Sequence, residues 1–82
     1  MDLRELFATN LRKLRHAKGL SQDDLAYTAG VSRSYLSQIE KGSYYVSLKV
    51  IGRLADVLQV EAADLLKRPI PPTGKQAKSG AG

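Results

Sequence analysis

Few residues in this sequence have the types and spacing that catalysis or metal binding would need. The chain has one histidine, His16, and no cysteine, so a thiolate nucleophile and a Cys-based zinc site are both excluded. His16 lies between Arg15 and Lys18 with no matched carboxylate, which is not the pattern of a metal ligand. Nothing in the spacing of the serines and aspartates from His16 favours a Ser-His-Asp triad. The sequence therefore predicts a protein that is not an enzyme and that holds no metal or cofactor.

The charge of the chain is distributed unevenly. The formal net charge is +5 at pH 7. Residues 1–66 carry nine Lys or Arg against eight Asp or Glu, whereas residues 67–82 carry four basic residues and no acid. Bulk charge is therefore weak support for nucleic-acid binding. A phosphate-binding face would have to collect the basic groups of residues 1–66 on one side.

Length and composition limit the remaining classes of protein. A chain of 82 residues makes one small domain, which excludes a multidomain enzyme. No stretch approaches the roughly 20 apolar residues of a membrane span, and the first residues lack the apolar run of a signal peptide. Because there is also no cysteine for a disulfide framework, we expect a cytoplasmic protein without membrane contact.

Capping residues and apolar spacing predict an all-α fold with five helices. Ser21, Ser32 and Ser47 each precede a helix as N-caps, and Asp2 with Glu5 is the pattern of a capping box. The predicted helices run from about Leu3 to Lys18, Gln22 to Ala29, Arg33 to Lys41, Leu48 to Leu58 and Ala62 to Leu66. No alternation of period two is long enough to be a strand.

Apolar residues at helical spacing mark the faces that should be buried. In the first helix the stripe is Leu3, Leu6, Phe7, Leu11, Leu14 and Ala17. In the fourth helix it is Leu48, Ile51, Leu54, Ala55 and Leu58.

The second and third helices are joined by a turn of only three or four residues. Gly30 makes the turn, Val31 is an apolar plug, and Ser32 caps the third helix. Leu36 and Ile39 are the inward residues of the third helix. A corner of this kind is a helix-turn-helix signature, although any small all-α domain can contain one.

The corner and its flanks carry a more specific resemblance. The residues are GLSQDDLA at Gly19–Ala26 and GVSRSYLSQIEKG at Gly30–Gly42. Over about Leu6 to Leu66 the chain strongly resembles the Cro/C1-type helix-turn-helix family, which includes phage repressors and xenobiotic-response-element regulators. Its short body looks most like the controller proteins of restriction-modification systems. The resemblance implies a five-helix lambda-repressor-like fold and a sequence-specific transcriptional regulator of double-stranded DNA.

The same resemblance implies a role for individual residues. The third helix would lie in the major groove, where Arg33 can pair with guanine and Gln38 with adenine. The residues expected to read bases are Arg33, Ser34, Ser37 and Gln38. The residues expected to contact phosphate are Gln22, Ser32, Tyr35, Lys41, Ser43 and Tyr44. Arg15 and Glu40 match a pair that forms a buried structural bridge in family members.

We further expect a homodimer on a palindromic operator. A single helix-turn-helix domain buries only roughly 600 to 1,000 Å² of surface on DNA, and specific affinity usually needs two such domains. Val50 and Val57 are seven residues apart on the fourth helix and lie off its apolar stripe. The expected dimer interface is Val50, Val57, Val60 and Leu66.

The sequence divides into a helix-turn-helix domain, residues 1–66, and a tail, residues 67–82, that is rich in Pro, Gly and Lys. The tail is too polar to bury a core, so we expect it to be flexible. It is equally compatible with a linker and with a non-specific phosphate tether.

Two other functions remain open at this point. One is an antitoxin that binds both DNA and a toxin, and the other is a protein-interaction module whose corner contacts no DNA. Contact with RNA polymerase also remains open for a transcriptional regulator.

Overall fold

The structure, a computed structural model, describes residues 2–68, and this part of the chain is helical without strands. Its α-helices are α1 (Leu3–Ala17), α2 (Gln22–Ala29), α3 (Arg33–Glu40) and α4 (Leu48–Leu58). The all-α prediction is confirmed for these residues, and the helix bounds agree to within one residue. The fifth predicted helix, Ala62–Leu66, is a 3-10 helix of five residues, so the count of five α-helices is not confirmed. Runs this short are typical of the tighter 3-10 geometry.

The helix starts follow from local hydrogen bonds. Ser32 and Ser47 accept from the backbone N–H three residues on, at 3.0 and 3.2 Å. Ser21 and Asp24 form a reciprocal capping box at the start of α2. The capping box predicted for Asp2 is absent, because its carboxylate instead accepts from the N–H and the guanidinium of Arg4.

The core lies where the four α-helices and the 3-10 helix meet. Its fully buried large side chains are Leu6, Leu11, Leu25, Leu36, Ile39, Leu54, Leu58 and Leu65. The predicted apolar stripes fail at helix ends. Leu48 at the first position of α4 is 84% exposed, and Leu3 and Ala17 of α1 are also exposed. A helical period gives the direction of a side chain, but it does not show whether a neighbour extends that far.

The turn between α2 and α3 fixes the corner. Gly30 ends α2 with φ of 75°, a left-handed conformation that a residue with a Cβ adopts only with strain. The N–H of Val31 then donates to the carbonyl of Ala26 over 3.0 Å, and the Val31 side chain packs against the core. Three residues therefore suffice to turn the chain and begin α3.

The 3-10 helix is tied back to α1. The side-chain amide of Asn10 donates to the carbonyls of Leu65 and Lys67 at 3.0 and 2.8 Å. This contact closes the bundle, and the sequence pattern alone does not predict it. None of the helices in residues 2–68 is long and apolar enough to cross a membrane. Predictions about the tail from Pro69 onward lie outside the described residues.

Candidate nucleic-acid interface

The four residues predicted to read bases lie together on the outer side of α3. They line one shallow depression, which we call the α3 patch: Arg33, Ser34, Ser37 and Gln38. Arg33 and Ser34 are exposed, and Ser37 and Gln38 are half-buried. The opposite side of α3 is buried in the core. The spacing of four residues between the two pairs places their side chains on one helix face, so a groove of DNA could meet all of them at once.

Arg33 has a partner that the sequence analysis did not predict. Its Nε lies 3.5 Å from Oδ1 of Asp23, and the two side chains are 64% and 74% exposed. Asp23 is the second residue of α2 and Arg33 is the first residue of α3. The ion pair therefore joins the beginnings of the two helices of the corner.

Gln22, which we expected at a phosphate, has its side chain engaged within the protein. Its Nε2 donates to Oε1 of Glu40 over 2.9 Å. One amide hydrogen of this side chain remains available. The first backbone N–H groups of α2 also have no acceptor within the helix, so this end still offers donors to an anion.

Ser32 and Tyr35, both expected at phosphates, lie at the start of α3. The Ser32 Oγ accepts from the Tyr35 N–H in the N-cap, which leaves its hydroxyl hydrogen free to donate. The Tyr35 ring stacks on Tyr44, with ring centroids 6.1 Å apart and planes at 20°. Two of the predicted phosphate contacts are thus brought together, and the stack anchors the loop after α3.

Lys41 and Ser43, the remaining residues expected at phosphates, are both exposed at the far end of α3. Lys41 is the C-cap of that helix, and the N–H of Ser43 donates to the carbonyl of Gln38 over 3.2 Å. An eight-residue helix is about 12 Å long. The cationic end of α3 is therefore about one helix length from Arg33. Two residues after Ser43, the ring of Tyr45 lies under the guanidinium of Arg4, whose Cζ is 4.8 Å from the ring centroid.

Behind the surface, Arg15 and Glu40 form a buried ion pair between α1 and α3. Arg15 Nε lies 2.7 Å from Glu40 Oε2, and its Nη2 donates to Oε1 over 3.1 Å. Both residues are more than nine-tenths buried. Arg15 also donates to the carbonyl of Leu20, and Arg12 donates to the backbone carbonyl of Glu40. The charges are compensated, as burial of an ionised pair requires.

Comparison with known proteins places this geometry in a family. The profile described as a helix-turn-helix domain matches residues 6–67 of the chain. The chain belongs to the helix-turn-helix domain family. The matched range contains α2, α3 and the whole α3 patch.

Three known proteins illustrate the similarity. A hypothetical transcription factor of Neisseria meningitidis is 40% identical over 68 residues, which are 83% of this chain and 64% of that protein. The structure of the restriction-modification controller protein C.AhdI from Aeromonas hydrophila has 45% identity and a TM-score of 0.73, covering 76% of this chain and 94% of that one. The structure of SinR in complex with DNA, a master regulator for biofilm formation, has 34% identity and a TM-score of 0.72, covering 74% and 98%. The predicted resemblance, including its controller-protein branch, is confirmed.

The residues that sequence reasoning missed in this helix-turn-helix domain are Asp23, Asn10 and Arg12. Each makes a contact with a residue distant in sequence. Of the three, only Asp23 could have been found from the sequence. An acidic residue is unusual at a helix start that is expected to approach a phosphate. The residues expected at the dimer interface differ among themselves: Val50, Val57 and Val60 are half-buried against the core, and Leu66 is 40% exposed.

Proposed function

We propose that the protein is a sequence-specific transcriptional regulator that binds double-stranded DNA and has no catalytic activity. The observation that carries this proposal is the α3 patch, in which four hydrogen-bonding side chains line one surface of a helix whose other side is buried. The patch sits in a helix-turn-helix family that contains transcription regulators, and one of the similar structures, that of SinR, is a complex with DNA.

In the proposed complex α3 lies in the major groove and α2 crosses the sugar-phosphate backbone. Arg33 pairs with guanine O6 and N7, and Gln38 pairs with adenine N6 and N7. Ser34 and Ser37 lie between them in the α3 patch. The phosphate contacts come from the two ends of the corner and from the loop after α3, through Gln22, Ser32, Tyr35, Lys41, Ser43 and Tyr44.

The proposed active form is a homodimer on a palindromic operator. Leu66 is the most exposed of the four residues expected at the interface, and it lines an apolar groove of about 140 Å³ with Leu3 and Tyr45. These three are exposed large apolar side chains that share one surface. The valines of α4 and the following segment contribute less, since they already pack against the core. A second copy covering the groove would remove this apolar surface from water.

A controller-type regulator is favoured over an antitoxin or a simple protein-interaction module. The support is the 45% identity to the restriction-modification controller protein C.AhdI, of which the chain covers 94%. Residues 1–66 form the proposed DNA-binding domain, and residues 67–82 form the proposed tail.

The experiment that tests the proposal is selection of bound sequences from a random duplex library with the full chain. We expect enrichment of one motif with two-fold symmetry, and an affinity for it that falls steeply as salt rises. Failure to enrich any sequence, with only weak binding that ignores base composition, would contradict sequence-specific regulation.

A further inference from the structure

The ion pair of Asp23 with Arg33 poses an electrostatic problem for a DNA-binding surface. Asp23 is exposed at the start of α2, next to the α3 patch through its 3.5 Å contact with Arg33. A carboxylate in this position repels the phosphates that the surface is proposed to approach. An acid there therefore weakens DNA binding in general. A compensating role has to come from its contact with Arg33.

Helix stability does not account for Asp23. Acids in the first turn do interact favourably with the helix dipole. However, the neighbouring residue Asp24 already supplies that charge, and it also forms the capping box with Ser21. Asp23 takes no part in this box, and its side chain pairs with Arg33 instead.

The contact leaves the reading end of Arg33 free. Asp23 approaches Nε, which is the inner nitrogen of the guanidinium, so the two terminal nitrogens keep their donors for a bidentate contact. A long exposed arginine otherwise samples many rotamers, and it can also turn towards a phosphate. The nearby carboxylate favours rotamers that keep Nε beside Asp23, which reduces both alternatives before DNA arrives.

We infer that Asp23 is a positioning residue that gives Arg33 its choice of base. It orients the guanidinium for guanine, while its charge lowers the affinity for every duplex, a cost that the guanine contact of Arg33 offsets only where guanine is present. Specificity is a difference between two affinities, and a repulsive group can enlarge that difference while lowering both. This inference rests on the proposed function, because it assumes that Arg33 faces base edges.

The test uses the full chain, the operator recovered by selection, its single-base variants and a scrambled duplex. Arg33→Ala first identifies the base pair that Arg33 reads. Asp23→Asn is then expected to bind the scrambled duplex more tightly, because one repulsive charge is lost. It is also expected to lose discrimination at that one base pair by roughly five-fold, within the range of coupling between contacting residues. Discrimination at the other positions should stay unchanged.

Two controls separate positioning from charge. Asp56→Asn makes the same change in net charge from an exposed site on α4, and it should leave the preference at the Arg33 base pair intact. Asp23→Glu keeps the carboxylate and should retain most of the discrimination at the Arg33 base pair that Asp23→Asn loses. In an Arg33→Ala background, Asp23→Asn should cause no further loss at that base pair.

The inference is overturned if Asp23→Asn tightens binding to all duplexes equally and keeps the preference at the Arg33 base pair. Asp23 would then act through its charge alone. That result leaves the proposed function standing, since the wild-type protein would still discriminate among bases. If the wild-type protein itself shows no base preference, the proposed function fails first, and the two failures are thereby distinguished.

Discussion

The side-chain amide of Gln22 donates from Nε2 to Oε1 of Glu40 over 2.9 Å. This bond joins the first residue of α2 to the last residue of α3, and Arg15 of α1 binds the same carboxylate. Three helices therefore meet at one buried charge. The position of α3 relative to α2 is held by these directional bonds as well as by apolar packing, which would keep the α3 patch at a fixed angle to the DNA.

Glu40→Gln is expected to destabilise the fold by about 3 to 5 kcal/mol, because it leaves Arg15 with a buried charge that nothing neutralises. The measurement is urea unfolding followed by circular dichroism. Lys67→Ala is the matched control, since it breaks an exposed ion pair with Asp64 and should change stability little. Equal effects of the two substitutions would show that the buried pair does not hold the helices together.

Lys41→Ala is expected to weaken binding to all DNA sequences alike. Its cation lies at the exposed end of α3, where it would neutralise one phosphate. The slope of log affinity against log salt should therefore decrease in magnitude by about one. Affinity is measured for the operator and a scrambled duplex over a series of salt concentrations. A loss confined to the operator would place Lys41 at a base instead of a phosphate.

Leu66→Glu is expected to convert a dimer into a folded monomer, because it puts a charge into the apolar groove. Sedimentation velocity at micromolar concentration measures the change, and operator affinity should fall with it. Ala63→Glu adds the same charge to an exposed position of the same 3-10 helix and serves as the control. A wild-type protein that is already monomeric under these conditions would contradict the proposed homodimer.

Asp2 is expected to add a small pH-dependent contribution to stability. Hydrogen bonds from Arg4 hold the pKa of Asp2 below its usual value of 3.8. A carboxyl group with a lowered folded-state pKa stabilises the fold above the unfolded value, and the effect disappears as the pH falls through the folded value. Asp2→Asn keeps a capping side chain but loses the charge. Thermal unfolding of the wild-type protein and of Asp2→Asn is measured from pH 6 to pH 2. The melting temperatures of the two proteins should converge at the acidic end, and a difference that stays constant over this range would rule out the contribution.

Much of the fold is predictable because its signals are local. Ser21, Ser32 and Ser47 cap helices where the sequence analysis placed them, and Gly30 ends α2. A cap depends only on a side chain and the backbone within three residues, so the sequence contains the whole interaction. The four residues of the α3 patch were named by the family resemblance, and they lie together because they share one face of one short helix.

The contacts that position the candidate site were harder to predict. Gln22 with Glu40 and Asp23 with Arg33 join different helices, and they depend on how α2 and α3 cross. Leu48 shows the same limit for packing, since its helical spacing matches the buried stripe although it is 84% exposed. Periodicity describes one helix, whereas these features depend on where a second helix lies.

The central claim is that α3 reads bases through Arg33. Its most direct test is the affinity of Arg33→Ala for the selected operator and for every single-base variant, at several salt concentrations, with intact helices verified by circular dichroism. We expect Arg33→Ala to lose about 1 to 3 kcal/mol of binding free energy only with operators that carry guanine at one position per half-site. The variant should then bind equally well whichever base occupies that position. If Arg33→Ala instead weakens every variant equally and lowers the salt slope, Arg33 contacts the backbone and the claim is wrong.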